Sequence, residues 1–257
     1  MTSAHPGPPR SILITGASSG IGEALALAYA APGISLFLSG RDERRLAAIA
    51  DACRARSAAV EASAVSVTDR AAMESWLLAA DGRHPLDLVI ANAGISGGTS
   101  GKGEGAEQTR RIFDINVTGL LNTVLPAIPR MQQCGHGQIA LMSSAASFRG
   151  MPGAPAYSAS KAAVRAYGEA LRGALAPSGI RVSVICPGFV RSRMTDANPF
   201  PMPLLMDAGR AARIIRRGLE RDKGRIAFPW PTYFAAWLMG ALPPGLTDPL
   251  MRKLPRK

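Results

Sequence analysis

Ser11-Ile12-Leu13-Ile14-Thr15 runs directly into Gly16-Ala17-Ser18-Ser19-Gly20-Ile21-Gly22, and then into the Ala/Leu-rich stretch Glu23 to Tyr29. The first run, short and aliphatic, reads as a buried strand; the last reads as a helix. Strand, glycine loop and helix in this order form a phosphate-binding unit by mechanism. A tight turn at Gly16 and bare backbone at Gly20 and Gly22 let an anion approach the helix N-terminus, where unpaired N–H groups and the dipole attract it. Ser18, Ser19 and Ile21 belong to the same loop. The spacing is Gly-x-x-x-Gly-x-Gly, not the common Gly-x-Gly-x-x-Gly, and three glycines after a strand also describe a plain turn.

Outward from this unit, strands and helices alternate. Ile34 to Leu38 is a strand after the breaker pair Pro32-Gly33, Asp42 to Arg56 a helix, Val60 to Val67 a strand and Ala71 to Ala80 a helix. Leu86 to Ile90 is a strand ending at Asn92-Ala93-Gly94, and a glycine-rich loop runs from there to Gly105. A long helix spans about Ala106 to Gln133, Gln138 to Met142 is a strand, Tyr157 to Ala176 a helix, and Arg181 to Ile185 a strand closed by Pro187-Gly188. With Ile226-Ala227-Phe228 added, the pattern predicts an α/β fold: a doubly wound, mostly parallel Rossmann-type sheet of about seven strands with helices on both faces. Its site is expected at the carboxyl ends of the strands. No internal repeat or low-complexity linker interrupts it, so residues 11–257 are expected to form one domain after a short disordered lead, 1–10.

Composition narrows the class. Of 257 residues, 47% are hydrophobic and 19% charged, values of an ordinary folded protein. Cys53, Cys134 and Cys186 match neither a disulfide framework nor a metal-ligand spacing, so no metal is expected and the thiols are read as reduced in a cytoplasmic protein. The opening residues carry no secretory signal pattern. The apolar stretch from about Tyr233 to Pro243 falls short of the ~20 residues a spanning helix needs.

Two features bear on chemistry. The second strand ends Ser39-Gly40-Arg41-Asp42, where a dinucleotide places its adenosine ribose; an acidic residue there suits NAD(H), and a basic one suits the 2′-phosphate of NADP(H). Gly40 leaves space and Arg41 offers a charge-assisted partner, so NADP(H) is preferred and NAD(H) is the alternative. The competing reading makes Arg41 one of several arginines on a solvated turn. The second feature is Tyr157-Ser158-Ala159-Ser160-Lys161, which puts Tyr157 and Lys161 on one helix face. A free phenol titrates near ~10. A lysine charge ~4 Å away at an effective dielectric of ~20 is worth about 4 kcal/mol, roughly three pKa units before opposing desolvation, enough to ready Tyr157 for acid–base work. Ser144 closes a strand and precedes Tyr157 by 13 residues, and Asn116 sits in an apolar helix pattern where an unpaired polar group is costly.

Taken in order, Thr15-Gly16-x-x-x-Gly20-Ile21-Gly22, Asn92-Ala93-Gly94, Asn116, Ser144, Tyr157 with Lys161, and Pro187-Gly188 resemble the short-chain dehydrogenase/reductase superfamily, in its compact single-domain branch, over about residues 11–195. The resemblance implies hydride exchange between a nicotinamide and a carbonyl or secondary alcohol. Tyr157 then exchanges the proton with the substrate oxygen, and Ser144 polarises the carbonyl. Lys161 binds the nicotinamide ribose and depresses the tyrosine, and Asn116 holds a water in a proton relay. Asn92, Ala93 and Gly94 support the adenine-ribose side; Pro187-Gly188 begins the nicotinamide wall, continuing through Val190 to Ser192. Where the family often has Asp this chain has Ser66, leaving adenine to the Val67 backbone, and where it often has Thr stands Ser192. Homo-oligomers are common in the family.

Substrate shape falls to the loop 192–209, to Ser96 and Gly97, and to Phe148 to Ala154. The apolar Phe200, Met202, Leu204, Leu205 and Met206 suggest a lid and an apolar carbonyl or alcohol substrate. The chain carries 30 Lys+Arg against 18 Asp+Glu, a net +12, and residues 210–257 hold eleven of the cations and three of the acids, hence +8. This segment interleaves aromatics, leucines and prolines with the cations. A membrane-peripheral contact at anionic lipid, in a reductase of lipid-derived ketones, is one reading. A last strand, a helix with a solvated basic face and an aromatic stretch packed on a partner subunit or the substrate cleft is the other. No nucleic-acid module accompanies the charge. A catalytically silent nucleotide-sensing or scaffold protein of the same fold is the runner-up, which the intact Asn116, Ser144, Tyr157 and Lys161 set argues against.

Overall fold

Aliphatic runs become strands and amphipathic runs become the helices between them. A computed structural model describes residues 7–97, 104–196, 198 and 200–252. Its strands are β1 (Ser11–Thr15), β2 (Ser35–Ser39), β3 (Ala59–Ser63), β4 (Leu88–Ala91), β5 (Gly137–Met142), β6 (Ile180–Pro187) and β7 (Arg225–Phe228). They form one sheet in the order β3-β2-β1-β4-β5-β6-β7, every pairing parallel. In register, Ile12 lies between Leu36 and Leu88. The direction of winding reverses between β1 and β4, which opens the crevice used for ligands in this class of sheet.

Because both faces are covered, neighbouring residues of each strand feed different core layers. Ile12, Ile14, Leu88, Ile90, Ala140 and Met142 pack with α1 (Gly20–Tyr29), α2 (Glu43–Arg54) and α9 (Ala208–Glu220). Leu13, Val89, Ala91, Ile139 and Leu141 pack with α3 (Arg70–Arg83), with Leu120 and Val124 of α5 (Gly119–Val124), and with α6 (Ala127–Cys134) and α7 (Pro155–Leu175). This is why the strands read as continuous apolar runs rather than alternating ones. On α7, Gly168 lies so close to β6 that a Cβ there would meet Val184 Cγ2 at 2.5 Å.

Two expected elements differ. The strand read over 60–67 ends at Ser63, because a turn closed by Asp69 N–H donating to Ser66 O (3.1 Å) intervenes before Asp69 caps α3. The long helix 106–133 is α4 (Ala106–Phe113), a π-helical turn at Asp114–Thr118, α5, a break at Leu125 and Pro126, and α6. Pro126 has no N–H to continue the ladder. Among the described residues, 106–134 is the one helical run long and apolar enough to cross a membrane, yet its Leu120, Val124, Ala127 and Met131 belong to the sheet's core. α8 (Arg193–Asp196), α10 (Trp230–Ala241) and α11 (Pro244–Met251) complete the fold. Residues 1–6 of the expected lead, 98–103 of the glycine-rich loop, 197 and 199 of the substrate loop and 253–257 lie outside the described residues.

Candidate active site

The glycine loop after β1 takes the conformation its residues permit. Gly16 and Gly20 have φ of +68° and +61°, a region that favours glycine. Gly22 serves a different end: a Cβ there would sit 2.2 Å from Gly16 O, so its bareness lets α1 close over the loop. Asn92 locks this arrangement across the crevice, its Nδ2 donating to Thr15 O (3.0 Å) and Gly16 O (3.2 Å). The N–H groups of Asn92 and Ala93 donate to Thr15 Oγ1 at 3.1 and 3.2 Å. Ser19, the N-cap of α1, is extended and makes no side-chain cap hydrogen bond. The helix N-terminus, flanked by Ser18, Ser19 and Ile21, thus keeps its donors for an anion, and the pyrophosphate of a dinucleotide fits that need.

At the end of β2, Arg41 is exposed and has no ion-pair or hydrogen-bond partner among the described residues. Its neighbour Arg45 is engaged with Asp42 at 2.9 Å. The Asp42 carboxyl is held below its usual range by the Arg45 N–H and by the charges of Arg45, Arg193 and Arg44, which places Arg193 of α8 in the same cationic neighbourhood. The space left by Gly40 is taken by Ser18, whose Cβ lies 2.8 Å from where a Cβ on Gly40 would stand. The Val67 carbonyl accepts from Asn122 Nδ2 (2.9 Å), and its side chain packs on Gly119.

Asn116, Ser144, Tyr157 and Lys161 converge beside this crevice. Ser144 caps the short 3₁₀ turn Ala145–Ser147 that follows β5, accepts from the Ala146 N–H at 3.1 Å and hydrogen-bonds the Tyr157 hydroxyl. Lys161 Nζ stands 5.9 Å from the Tyr157 ring centroid and donates to Met142 O at 2.8 Å. Burial draws the Lys161 ammonium down to about 8 and pushes the Tyr157 phenol up, the latter opposed by the Ser144 hydrogen bond. The three-unit depression expected from a direct lysine contact is therefore not what this geometry produces: the ammonium is tied to the end of β5, and desolvation outweighs its field. Asn116 is fully buried. Its Oδ1 accepts from the Ile95 N–H (2.8 Å), and its Nδ2 donates to Ile95 O (2.9 Å) and Ser160 Oγ (3.0 Å). Both amide hydrogens are committed, so this side chain clamps the loop after β4 to α7. The π turn that carries it is the local distortion such sites recurrently show. Gly94 packs tightly against both side chains: a Cβ would stand 3.1 Å from Asn116 Oδ1 and 3.3 Å from Lys161 Nζ.

On the substrate side, Gly188 N–H donates to Phe228 O (2.7 Å), joining the wall after β6 to β7. Val190 is buried and bridges to Met206, and Ser192 approaches Gly20, its Cβ 3.0 Å from a Cβ position there. Ser96 O accepts from Gln108 Nε2 at 3.0 Å. The Phe148 ring is enclosed by Arg165 (4.7 Å), Arg225 (5.2 Å) and an edge-on Tyr233 (5.3 Å), so it anchors β7 and α10.

Two contributors escape the sequence reading. Glu104 accepts the N–H groups of Ala156 (2.5 Å) and Tyr157 (3.2 Å), capping the helix that carries the tyrosine. A lone carboxylate between Gly103 and Gly105 was its only signal. Thr195 Oγ1 accepts from Ser192 N–H (2.8 Å) and donates to Val190 O (3.1 Å), fixing the start of the substrate loop with no signature in the sequence.

A parallel sheet with a glycine loop at its switch point, and a Ser–Tyr–Lys group at the same edge, define a nicotinamide-dependent oxidoreductase. The chain belongs to the short chain dehydrogenase family, whose profile matches residues 10–200. It acts between CH–OH and C=O with a nicotinamide cofactor. It is 40% identical over 246 residues to an uncharacterised oxidoreductase of Myxococcus xanthus, covering 95% of this chain and 97% of that protein. A short-chain dehydrogenase from Sphingobium yanoikuyae in complex with NADPH superposes with a TM-score of 0.79 at 29% identity, covering 95% of this chain and 96% of that one. The bulky-bulky ketone specific alcohol dehydrogenase of Comamonas testosteroni gives 0.76 at 25% identity, with 95% and 94% covered.

Proposed function

We propose that this protein is an NADPH-preferring reductase of an apolar ketone. The observation that carries the reading is the hydrogen bond between Ser144 and Tyr157, formed at the sheet edge next to buried Lys161. Tyr157, protonated at neutral pH because burial raises its phenol, donates its proton to the substrate oxygen. Ser144 orients that oxygen and shares the developing charge. Lys161, a cation held beneath the tyrosine, stabilises the phenolate left behind. Asn116 and Glu104 hold α7 against the loop after β4, so the reacting hydroxyl keeps its place. The nicotinamide, when bound, supplies the hydride.

Preference for NADPH rests on Arg41, an exposed guanidinium at the end of β2 without a partner among the described residues, with Arg193 nearby. The NADPH held by the Sphingobium relative supports the same choice. Apolar character of the substrate rests on the loop before α9, where Leu204 and Leu205 are exposed and Phe200 packs edge-on to Phe189 at 6.2 Å. The test is NADPH oxidation with a panel of aryl and alkyl ketones. Tyr157→Phe is expected to bind NADPH as the wild type does and to lose turnover by about 10²–10⁴-fold; unchanged turnover overturns the proton-donor role.

A further inference from the structure

α10 contains no charged residue, and the one charge in α11, Asp248, is paired with Arg149 at 2.7 Å. Across residues 230–252 only Thr247 and Met251 are buried. One side of α10 is docked: Tyr233 lies against Phe148, and Gly240 faces the Phe148 carbonyl too closely to admit a Cβ. The other side presents Trp230, Phe234, Trp237 and Leu238 at i, i+4, i+7 and i+8. Trp230 and Phe234 stack at 5.1 Å, and Phe234 meets Trp237 at 6.0 Å. Trp230 is 66% exposed, and α11 adds Leu246 at 70% and Leu250 at 55%. Single exposed apolar residues are ordinary on a soluble protein; a contiguous set rich in tryptophan marks an interaction surface.

Charge selects the occupant. After Asp248 the chain has no acidic residue, and Arg252, Lys253, Arg256 and Lys257 follow the apolar surface in sequence. A second copy seated on this face through a two-fold axis would add its own Arg252, exposed at the end of α11, to the same side. An anionic bilayer instead offers hydrocarbon to the leucines, headgroup depth to the tryptophans and phosphate to the cations. We infer that α10 and α11 seat this protein on an anionic phospholipid surface. Because α10 leaves the sheet beside Gly188, the class of substrate this placement favours is a ketone partitioned into that bilayer. That last clause rests on the reductase reading, whereas the docking itself does not.

Flotation of the full chain with phosphatidylcholine vesicles containing roughly 30% phosphatidylglycerol, at about 0.15 M salt, tests it. The expected result is a vesicle-bound fraction that falls about tenfold or more with pure phosphatidylcholine, and again about tenfold or more in Trp230→Ser/Trp237→Ser. A second variant, Arg252→Glu/Lys253→Glu, spares the apolar face and is expected to lose binding comparably. Tyr157→Phe is expected to float like the wild type, so a failed turnover assay bears on the reductase reading alone. Absence of a bound fraction, binding indifferent to lipid charge, or tryptophan variants that still float would overturn the inference. So would wild-type dimers that fail to float and become monomers in the tryptophan variant, which would assign the face to a second copy.

Discussion

Replacing Lys161 with methionine should stabilise the cofactor-free protein at neutral pH. Lys161 is 4% exposed, and burial lowers its pKa from 10.5 to about 8. At about 1.36 kcal/mol per unit, keeping the ammonium charged in the fold costs roughly 3 kcal/mol relative to the unfolded chain. The Nζ donation to Met142 O, which methionine cannot replace, returns about 1 kcal/mol, so Lys161→Met should gain about 2 kcal/mol at pH 7. The sign follows from the depressed folded value. Below pH 8 both states carry the proton and the cost is complete; between 8 and 10.5 the unfolded state holds more protons, so wild-type stability rises with pH. By pH 10 the remaining cost is under about 1 kcal/mol, and the variant's advantage should vanish. Cys186, pushed up to about 11 by burial, and Tyr157, also raised, lower the stability of both proteins in alkali and largely cancel in the difference. Urea unfolding followed by tryptophan fluorescence at pH 7 and pH 10 reads this as a midpoint shift on the order of 1 M that is present only at the lower pH. A variant less stable at pH 7, or an equal gain at both, would refute the assignment of a strained, buried ammonium.

Arg41→Ala is expected to weaken NADPH by about 10–100-fold, the worth of charge-assisted bonds of about 1.5–3 kcal/mol, and to leave NADH nearly unchanged; fluorescence titration of both cofactors decides. Equal losses would remove Arg41 from 2′-phosphate recognition. Gly94→Ala drives a methyl toward Asn116 and Lys161 and should cost about 1–3 kcal/mol of stability together with most of kcat; a variant with wild-type kcat contradicts the contact. Glu104→Ala leaves the Ala156 and Tyr157 N–H groups without acceptors, and about 1–2 kcal/mol of local stability should go with them. Hydrogen exchange should quicken in the first turn of α7 and kcat should fall more than KM rises, with Glu104→Gln restoring part of both; unaltered exchange speaks against the cap.

The fold was legible because its determinants are local. β1, its glycine loop and α1 are contiguous, and the doubly wound order follows from strands that are apolar on both faces. The candidate site was legible for a related reason: Tyr157 and Lys161 share a helix face, and Asn116 was conspicuous as a buried amide in an apolar pattern. What binds each of them was not. Asn116 meets Ile95 and Ser160, and Glu104 meets Ala156 and Tyr157, contacts between segments many residues apart that no periodicity announces. Phe148 illustrates the converse, a residue read as pocket wall whose ring is held by two arginines arriving from α7 and β7. The lysine's field was overestimated from sequence because its desolvation and its tether to Met142 appear only in three dimensions.

Gly168 has a reach out of proportion to its size. Tyr157 precedes it by eleven residues on one continuous helix, about 16 Å along the axis. With β6 as fulcrum at Val184, a methyl group at position 168 would pry the middle of α7 away from the sheet, and the rigid rod would carry the phenol and the ammonium with it. The height of the Tyr157 hydroxyl above the sheet is set three turns away, where Gly168 meets Val184. Loss of turnover is therefore the signature of damage at this seam as much as at the tyrosine.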